Sequence, residues 1–562
     1  MNSVFVDERR ESAWNGALLM AATMIVSKMI GVLQKIPLQN LAGDRVFGIY
    51  NAVYPLYQML LVAATAGLPP AVAIVVAKRL ASGDYEGARS ARRAALWLLG
   101  LTGAAGFALL WLGAPHIAAA IGDRAAADAI RSVAFALWFV PALSALRGYS
   151  QGTGDMPASA LSQVTEQLLR VSVMAGMLAW GMSDAWQDGD IAAGAMAGSA
   201  AGAAGAMSLM AWRQRRQRRL RLQAAMETAS AGTANVERTG SGLPFMIRLR
   251  QLASEMIGLS KLAFPMAFGA AAVPLAAVVD AFMVPQLLGG TGLADAEAMR
   301  QFGLYGRGQT LVQLIAMVSG AAASALVPSL ALARKQNSWQ EARLAASVGL
   351  RVSWWIGAGA VLGLALLARP INVMLFADDH ATGTLVIVGF GTLAAAVQTV
   401  SAAVLQGCGR VRLPVLLLIA GAAGKALLNA LLVPAYGIAG AAAAGAIALT
   451  AAALAAAWAA HAALRGGDNA PAAPLAAAWR IGFALACMAA ALILLELGMR
   501  ELDSLLPPRA AATAQVLTGV AVGAAVFAAA LLRSGGIEAR EWRALPGGGK
   551  LAARLRRLRL IP

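Results

Sequence analysis

The sequence is poor in the side chains from which most soluble functional sites are built. Only two cysteines and three histidines occur among 562 residues, and charged residues make up 13% of the chain. Cys408 and Cys487 are far apart, and so are the histidines, so we expect neither a disulfide framework nor a metal site. The chain also lacks a GxxxxGK[ST] phosphate loop, which argues against ATP hydrolysis. We therefore expect no cofactor and no enzymatic activity.

Apolar residues, in contrast, make up 59% of the chain, and the mean hydropathy is +0.66. A soluble fold could not bury so much apolar surface. Stretches of about 20 apolar residues, long enough to cross ~30 Å of hydrocarbon, recur along the whole sequence. We predict an all-α polytopic membrane protein of about 14 transmembrane helices. The predicted spans are residues 13–36, 47–77, 94–113, 129–149, 158–181, 190–212, 259–285, 303–332, 345–368, 383–406, 412–433, 437–463, 476–498 and 511–533.

The formal net charge of +18 would suggest nucleic acid in a soluble protein, but here the position of the charge indicates topology. Lysine and arginine are concentrated in Lys78 to Arg93, Arg213 to Arg221 and Arg533 to Arg559, whereas the segment Ser183 to Asp190 carries acid and no base. The positive-inside rule then predicts that both termini lie on the cytoplasmic side of a bacterial inner membrane. We expect no nucleic-acid partner. The basic segments either bind anionic lipid head groups or act only as topology determinants.

The predicted organisation follows from these segments. A polar, acidic start (residues 1–16) does not resemble a cleavable signal peptide, so the first span is expected to be retained. A polar stretch rich in Gly, Ser and Thr follows the run Arg213 to Arg221 and separates two lobes. The parts are an N-terminal lobe (1–212), a basic cytoplasmic linker (213–257), a C-terminal lobe (258–464), two final spans (465–533) and a basic tail (534–562), which could form an amphipathic helix on the membrane surface.

An internal repeat relates the two lobes. Gly48, Tyr50 and Gln58 match Gly303, Tyr305 and Gln313 at one offset of 255 residues, and the same offset relates Gln151-Gly152 to Gln406-Gly407 and Arg170 to Lys425. Each copy has an even number of predicted spans, so the copies should be parallel repeats. Such repeats favour alternating access, although duplication without transport is the other possibility.

Ionisable residues inside spans cost at least ~2.5–3.5 kcal/mol each, so each indicates a function or a partner. Glu166 and Arg170 are four residues apart on one helix and could simply pair with each other. Lys28, Lys35 and Lys425 then outnumber Asp280, and such a positive interior suits a phosphate or diphosphate group. Lys35 could instead extend to the membrane interface.

Several polar residues accompany these charges, and each could line a cavity or form only an interhelical hydrogen bond. The predicted cavity comprises Lys28, Lys35, Asn51, Tyr54, Gln58, Arg170, Arg307, Gln313 and Lys425, with Gln309 beside it. Asp280 and Glu166 are candidates for ion coupling.

Four motifs resemble a known family. They are Ser27-Lys28-x-x-Gly31, Arg147-Gly148-Tyr149-x-Gln151-Gly152, Glu166-Gln167-x-x-Arg170-Val171, and Lys425-x-x-x-Asn429 with Gly437-Ile438-x-Gly440-Ala441-Ala442. Together they are similar to the polysaccharide-transporter branch of the MOP exporter superfamily, and most of all to the SpoVB/YtgP group related to the MurJ lipid II flippases. The resemblance covers about residues 12 to 533.

The resemblance implies two six-helix lobes in a V shape, two further helices, and a central cationic cavity. It also implies outward movement of polyprenyl-diphosphate-linked sugars for peptidoglycan, spore cortex or other glycans, with cell-wall synthesis machinery as a further partner. Lys28 falls where MurJ-type proteins carry a required arginine, but Gln34-Lys35 replaces their Arg-Asp.

Three other functions remain open. A MATE-like small-molecule exporter driven by Na⁺ or H⁺ would need acidic residues in its cavity. A polyprenyl-phosphate sugar transferase would need clustered acids near the interface, and only dispersed acids such as Asp378 and Asp379 occur. A non-transporting scaffold would not explain cations inside the spans.

Overall fold

The computed structural model describes residues 19–20, 22–65, 67–230, 245–335, 339–465, 478–499 and 505–535, which form helices joined by turns and no strand. Residues 22–33 are helical. The helices that follow are α1 Lys35–Thr65, α2 Leu68–Ala81, α3 Tyr85–Ile121, α4 Ala126–Gly152, α5 Met156–Ser183, α6 Asp188–Ser230, α7 Phe245–Gly290, α8 Asp295–Lys335, α9 Trp339–Leu366, α10 Ala368–Phe376, α11 Thr382–Gly407, α12 Arg412–Arg465, α13 Ala478–Met499 and α14 Pro508–Arg533. The predicted all-α fold class is confirmed.

Among the described residues, eight helices are long and apolar enough to cross a membrane. Two of the eight, Ala22–Ala81 and Arg412–Leu464, have 60 and 53 residues. Since a span needs about 20 residues, each is long enough for two crossings. Kinks divide both stretches, because Gly43 and Gly437 have φ values of 80° and 57° that interrupt the helix. The chain is thus a multi-pass membrane protein.

The chain divides into two compact units, Met1–Ala281 and Phe282–Pro562. In the first unit, the central helix α4 packs against α1, α2, α3 and α6, and α5 packs along α6. In the second unit, α11 packs against α8, α9 and α12, and α13 packs against α14. The two central helices end at Gly152 and Gly407, which are related by the repeat offset of 255.

Local sequence signals explain where several helices begin. Asp84 accepts a hydrogen bond from the Gly87 backbone N–H at 2.7 Å and caps α3, and Asp155 caps α5 in the same way through Ala158 at 3.1 Å. Pro157 lies in the first turn of α5, where a proline costs no helix hydrogen bond. The Asp155 cap lies at the short turn between α4 and α5, across which Gln151 Nε2 donates a hydrogen bond to Ser159 Oγ at 3.0 Å.

Some predicted boundaries differ from the structure. The second predicted span (47–77) is divided, since α1 ends at Thr65 and α2 begins at Leu68 after Gly67, whose φ is 76°. Leu68 is followed by two prolines, which lack the N–H groups that a continuous helix would require.

The predicted linker (213–257) is largely helical in the structure. Helix α6 continues through the basic run to Ser230, because Arg, Gln, Leu, Ala and Met are strong helix formers. Helix α7 begins at Phe245, and its early residues Leu259 and Ala263 belong to the core of the first unit. The two units therefore divide within α7. Residues 1–18, 231–244 and 536–562, which include the polar start, part of the linker and most of the tail, lie outside the described residues.

Candidate functional site

A buried ion-pair triad lies in the first unit, formed by Arg147 of α4 and by Glu166 and Arg170 of α5. Arg170 Nη2 is 2.6 Å from Glu166 Oε1, and Arg147 Nη2 is 2.8 Å from Glu166 Oε2. The three side chains are only 11–13% exposed. Glu166 is the only carboxylate that pairs with either arginine among the described residues, so the triad carries a net charge of about +1 within the bundle.

The triad is held by its neighbours on two sides. Ser162, one turn before Glu166, accepts a hydrogen bond from Arg147 Nε at 2.6 Å. On the side of α6, Gly198 lies against the backbone carbonyl oxygen of Arg170, and Gly202 lies against that of Glu166. A β-carbon at either glycine would collide with the carbonyl oxygen. Glycine is required at these positions because α6 approaches the α5 backbone directly.

A row of tyrosines on α1 lies within electrostatic range of the triad. Tyr50 and Tyr54 stack with ring centroids 5.3 Å apart, and the Tyr54 and Tyr57 centroids are 6.0 Å apart. The hydroxyl groups of all three tyrosines are close enough to Arg170 for Coulombic coupling. Gln34, which precedes α1, donates a hydrogen bond to the Tyr50 hydroxyl at 3.2 Å. In the first unit, Arg170 is therefore near the tyrosine hydroxyl groups of α1.

Several buried polar atoms of α1, α5 and the residues just before α1 lack a hydrogen-bond partner among the described residues. The unpaired donors are Arg170 Nε, Asn51 Nδ2 and the Tyr57 hydroxyl, and the unpaired acceptors include Gln163 Oε1 and Gln34 Oε1. Native proteins rarely leave such atoms unsatisfied, and a group of them is typical of a site that binds water or a ligand. The arrangement can bind an oxygen-rich anion through charge-assisted hydrogen bonds.

The second unit holds a related but simpler arrangement. Lys425, the repeat partner of Arg170, is 7% exposed, and Asn429 on the next turn is fully buried. A β-carbon on Gly445 would lie 3.5 Å from Lys425 Nζ and 3.6 Å from the Tyr305 hydroxyl, so both atoms reach the same small space. Tyr305 also accepts a hydrogen bond from Gln309 Nε2 at 2.6 Å. Tyr305 is the repeat partner of Tyr50, so each unit places a buried cation near an equivalent tyrosine.

Arg307 has a different environment from the one expected of a cavity residue. Its side chain is 1% exposed, and Nη1 and Nη2 bind both oxygens of Asp378 at 2.6 and 2.9 Å. Asn372 and the ring of Phe376 also contact the Arg307 guanidinium group. In this conformation Arg307 ties α8 to the segment after α10 and is not accessible to a ligand.

The other expected site residues are distributed more widely. Asp280 is buried at 3% exposure, and Asn51 and Tyr54 are half-buried. Lys28, Gln58 and Gln313 are exposed, whereas Lys35 is buried at 6% exposure. Lys35 is thus enclosed by protein, whereas Lys28 is not.

Arg147 and Tyr57 were not predicted as site residues. Arg147 could have been found, because helices joined by a short turn run antiparallel and place residues equally far from the turn side by side. Arg147 and Ser162 are seven and eight residues from Gly154, the middle of that turn. Tyr57 gives no comparable signal. Among the described residues, no group of three His, Cys, Asp or Glu could hold a metal ion.

These features define a class: a multi-pass, all-helical membrane protein with two repeats, each of which buries a cation beside a tyrosine. The profile of the polysaccharide biosynthesis protein family matches residues 13–333, and the chain belongs to that family. The uncharacterized membrane protein YabM of Bacillus subtilis (strain 168) is 30% identical over 556 residues, which are 98% of this chain and 98% of the relative.

Two further relatives come from the same organism. The lipid II flippase MurJ is 24% identical over 434 residues, which are 74% of this chain and 77% of the relative. Stage V sporulation protein B is 23% identical over 378 residues, which are 66% and 68% of the two chains. The resemblance to the polysaccharide-transporter branch, drawn from the four motifs, is confirmed.

Solved structures show the same fold. The inward closed conformation of the lipid II flippase MurJ matches with a TM-score of 0.63 at 11% identity, over 91% of this chain and 98% of that one. An inward-facing multidrug resistance MATE family transporter of the MOP superfamily matches with a TM-score of 0.60 at 15% identity, over 81% and 99%. At these identities the likeness concerns the fold alone and does not distinguish the two functions.

Proposed function

We propose that this chain is a flippase that moves a polyprenyl-diphosphate-linked sugar, such as a peptidoglycan or other polysaccharide precursor, across the cytoplasmic membrane. The observation that carries the proposal is the positively charged triad of Arg147, Glu166 and Arg170, in which Arg170 Nε has no hydrogen-bond partner among the described residues. The relatives named MurJ and stage V sporulation protein B support the same substrate class.

The chemistry of such a substrate fits the charge of the site. A diphosphate carries two or more negative charges and many acceptor oxygens, so it cannot cross the hydrocarbon core unaided. Arginine binds phosphate oxygens through its planar fork of N–H groups. The polyprenyl tail is as apolar as the lipid and need not leave it. Only the head group therefore requires a polar path, and each unit contains a buried cation of the charge that such a path requires.

The repeated architecture supports alternating access, in which the two repeats move against each other and open the path to each side in turn. The arrangement of basic segments supports cytoplasmic termini and an inner-membrane location, with anionic lipids at the basic surfaces. Cell-wall synthesis machinery is the further partner that this role implies. No cofactor and no chemical step are part of the proposal.

A cation-coupled exporter is the second candidate, because the MATE fold matches the chain as well. Such an exporter needs an acid that is available to a cation. Glu166 is engaged by two arginines, which makes it a poor site for Na⁺. Asp280, at 3% exposure, is the residue to test for ion coupling.

The direct test is native mass spectrometry of the purified chain with lipid II, its monophosphate counterpart and phosphatidylcholine. We expect retention in that order, and weaker retention of lipid II in K28Q, R170Q and K425Q. Arg369→Gln is the matched control, since Arg369 is a 77% exposed cation in an exposed pair with Asp379. Equal retention of the three lipids, unchanged in the charge variants, would favour the exporter. Accumulation of lipid II in the inner leaflet after depletion of the protein would support the proposal in cells.

A further inference from the structure

Glu166 holds a position that a substrate anion would be expected to hold. It gives one oxygen to each of two guanidinium groups that come from different helices, and it is the only acid that pairs with them among the described residues. A carboxylate has one negative charge and two oxygens, so it satisfies neither the charge nor the donors of two arginines. Arg170 Nε and the nearby Tyr57 hydroxyl are left without acceptors.

We infer that the triad is a diphosphate-binding site in which Glu166 is an intramolecular competitor, occupying the two arginines while the site is empty. The inference rests on the proposed function and adds the residues that contact the diphosphate and the group that it displaces. An incoming diphosphate offers more oxygens and about one more charge than Glu166 does. It can therefore take over the arginine forks and supply the acceptors that Arg170 Nε and Tyr57 lack.

A built-in competitor has a consequence for transport. A flippase must bind its lipid on one side of the membrane and release it on the other, so very tight binding would slow release. Glu166 lowers the apparent affinity, because part of the binding free energy is used to separate it from the arginines. It also keeps the two buried guanidinium groups paired between cycles, when they would otherwise be uncompensated.

The neighbourhood of the triad suits this exchange. Glu166 reaches its partners through a flexible side chain, whereas its backbone is fixed by the close contact with Gly202 of α6. Arg147 is held by Ser162 through Nε and keeps its position when the carboxylate leaves. Arg147 is therefore held independently of Glu166, and the Glu166 carboxylate is the part of the pair that can move.

The test compares variants of the full chain in their binding of a polyprenyl diphosphate and of lipid II by native mass spectrometry. Glu166→Gln removes the competing charge and keeps the side-chain shape, so we expect about tenfold tighter binding. Arg147→Gln and Arg170→Gln should each weaken binding about tenfold, as the loss of one charge-assisted hydrogen bond implies. Glu297→Gln, which changes an exposed carboxylate paired with Arg300 in the second unit, is the control and should leave binding unchanged.

Competition measurements show which kind of phosphate compound the site binds, and a second variant covers the case in which the first does not fold. Inorganic pyrophosphate should compete only weakly because it lacks the polyprenyl tail, and phosphatidylglycerol only weakly because it carries a single phosphate with one charge. If Glu166→Gln does not fold, the double variant R147Q/E166Q restores the triad charge of +1 and frees Arg170. It should bind more tightly than Arg147→Gln alone.

The outcomes distinguish this inference from the proposed function. Unchanged or weaker binding by Glu166→Gln, or by the double variant relative to Arg147→Gln, would overturn the competitor role while wild-type binding of lipid II still supports the flippase. Failure of the wild-type chain to bind any lipid diphosphate would overturn the proposed function itself.

Discussion

At the scale of single residues, burial decides which ion pairs matter. Arg307 is 1% exposed and shares a bidentate contact with Asp378, whereas the neighbouring pair of Arg369 and Asp379 is 77% and 55% exposed. An exposed pair contributes ~0–1 kcal/mol, because water and salt screen it. A buried guanidinium group that loses its carboxylate partner stays desolvated without a compensating charge, and this destabilises the folded state.

We therefore expect Asp378→Asn to lower the free energy of unfolding by ~1.5–3 kcal/mol, the value for a hydrogen bond to a charged group. Asp379→Asn, one residue away, should change it by less than about 1 kcal/mol. Thermal melting of both variants in the same detergent measures the difference. Equal melting temperatures would show that the Arg307 pair is not a structural tie.

The same pair predicts a dependence on pH. Burial alone would raise the pKa of the Asp378 carboxyl, but hydrogen bonds from Arg307 and from the His380 backbone N–H outweigh burial and lower it. A carboxyl with a lowered pKa stabilises the fold above its ordinary pKa of about 3.9 and loses that contribution as the pH falls through the folded value. The melting difference between wild type and Asp378→Asn should stay constant down to about pH 5 and shrink below about pH 4. A difference that shrinks near neutral pH would contradict this assignment.

At the scale of elements, the α5–α6 contact positions the triad. Gly198 and Gly202 allow α6 to touch the carbonyl oxygens of Arg170 and Glu166. Backbone atoms cannot move aside as the end of a flexible side chain can, so an added methyl group would push the helices apart. The arrangement of the site thus depends on two residues that carry no functional group.

Gly202→Ala is expected to lower the free energy of unfolding by ~1–3 kcal/mol through overpacking, and to weaken lipid binding because Glu166 and Arg170 are displaced. Gly176→Ala in α5 is the matched control, since nothing lies within 4 Å of the position of its β-carbon. Melting curves and lipid II retention should be affected only in the first variant. Identical behaviour of the two would mean that α5 and α6 adjust without cost.

At the scale of the whole molecule, the distribution of charge predicts the membrane topology. The segment after α5 carries Asp184, Asp188 and Asp190 without a base, whereas α6 ends beyond the run Arg213 to Arg221. Because basic loops are retained in the cytoplasm, the two ends of α6 should lie on opposite sides of the membrane.

In a chain whose Cys408 and Cys487 are replaced by serine, we expect Ser183→Cys to react with an impermeant thiol reagent added to intact cells. Ser230→Cys should react only after the membrane is permeabilised. Ser183 is exposed at the end of α5, so access there is not limited by packing. The reverse pattern would invert the topology and with it the proposed inward-to-outward direction of transport.

Those features that depend on neighbouring residues in the chain were predictable. The spans follow from runs of apolar residues. The division of α12 at Gly437 coincides with the first residue of the predicted span 437–463, and the pairing of Glu166 with Arg170 follows from their i,i+4 spacing. The repeat offset also correctly related the last residues of α4 and α11. Each of these signals is local or compares one stretch of sequence with another.

The tertiary structure decided which distant side chains meet. Arg147 joins Glu166 from another helix, and Arg307 binds Asp378 across 71 residues, which turns an expected cavity residue into a structural tie. Lys35 is buried and Lys28 exposed, although both lie two turns apart along one stretch. The sequence sets the period and polarity of each helix, but the rotation of a helix and the identity of its neighbours depend on the packing of the whole unit. The sequence by itself therefore determined that the chain is a membrane protein with charged residues inside its spans. The packing of the helices decided which of those charged residues come together.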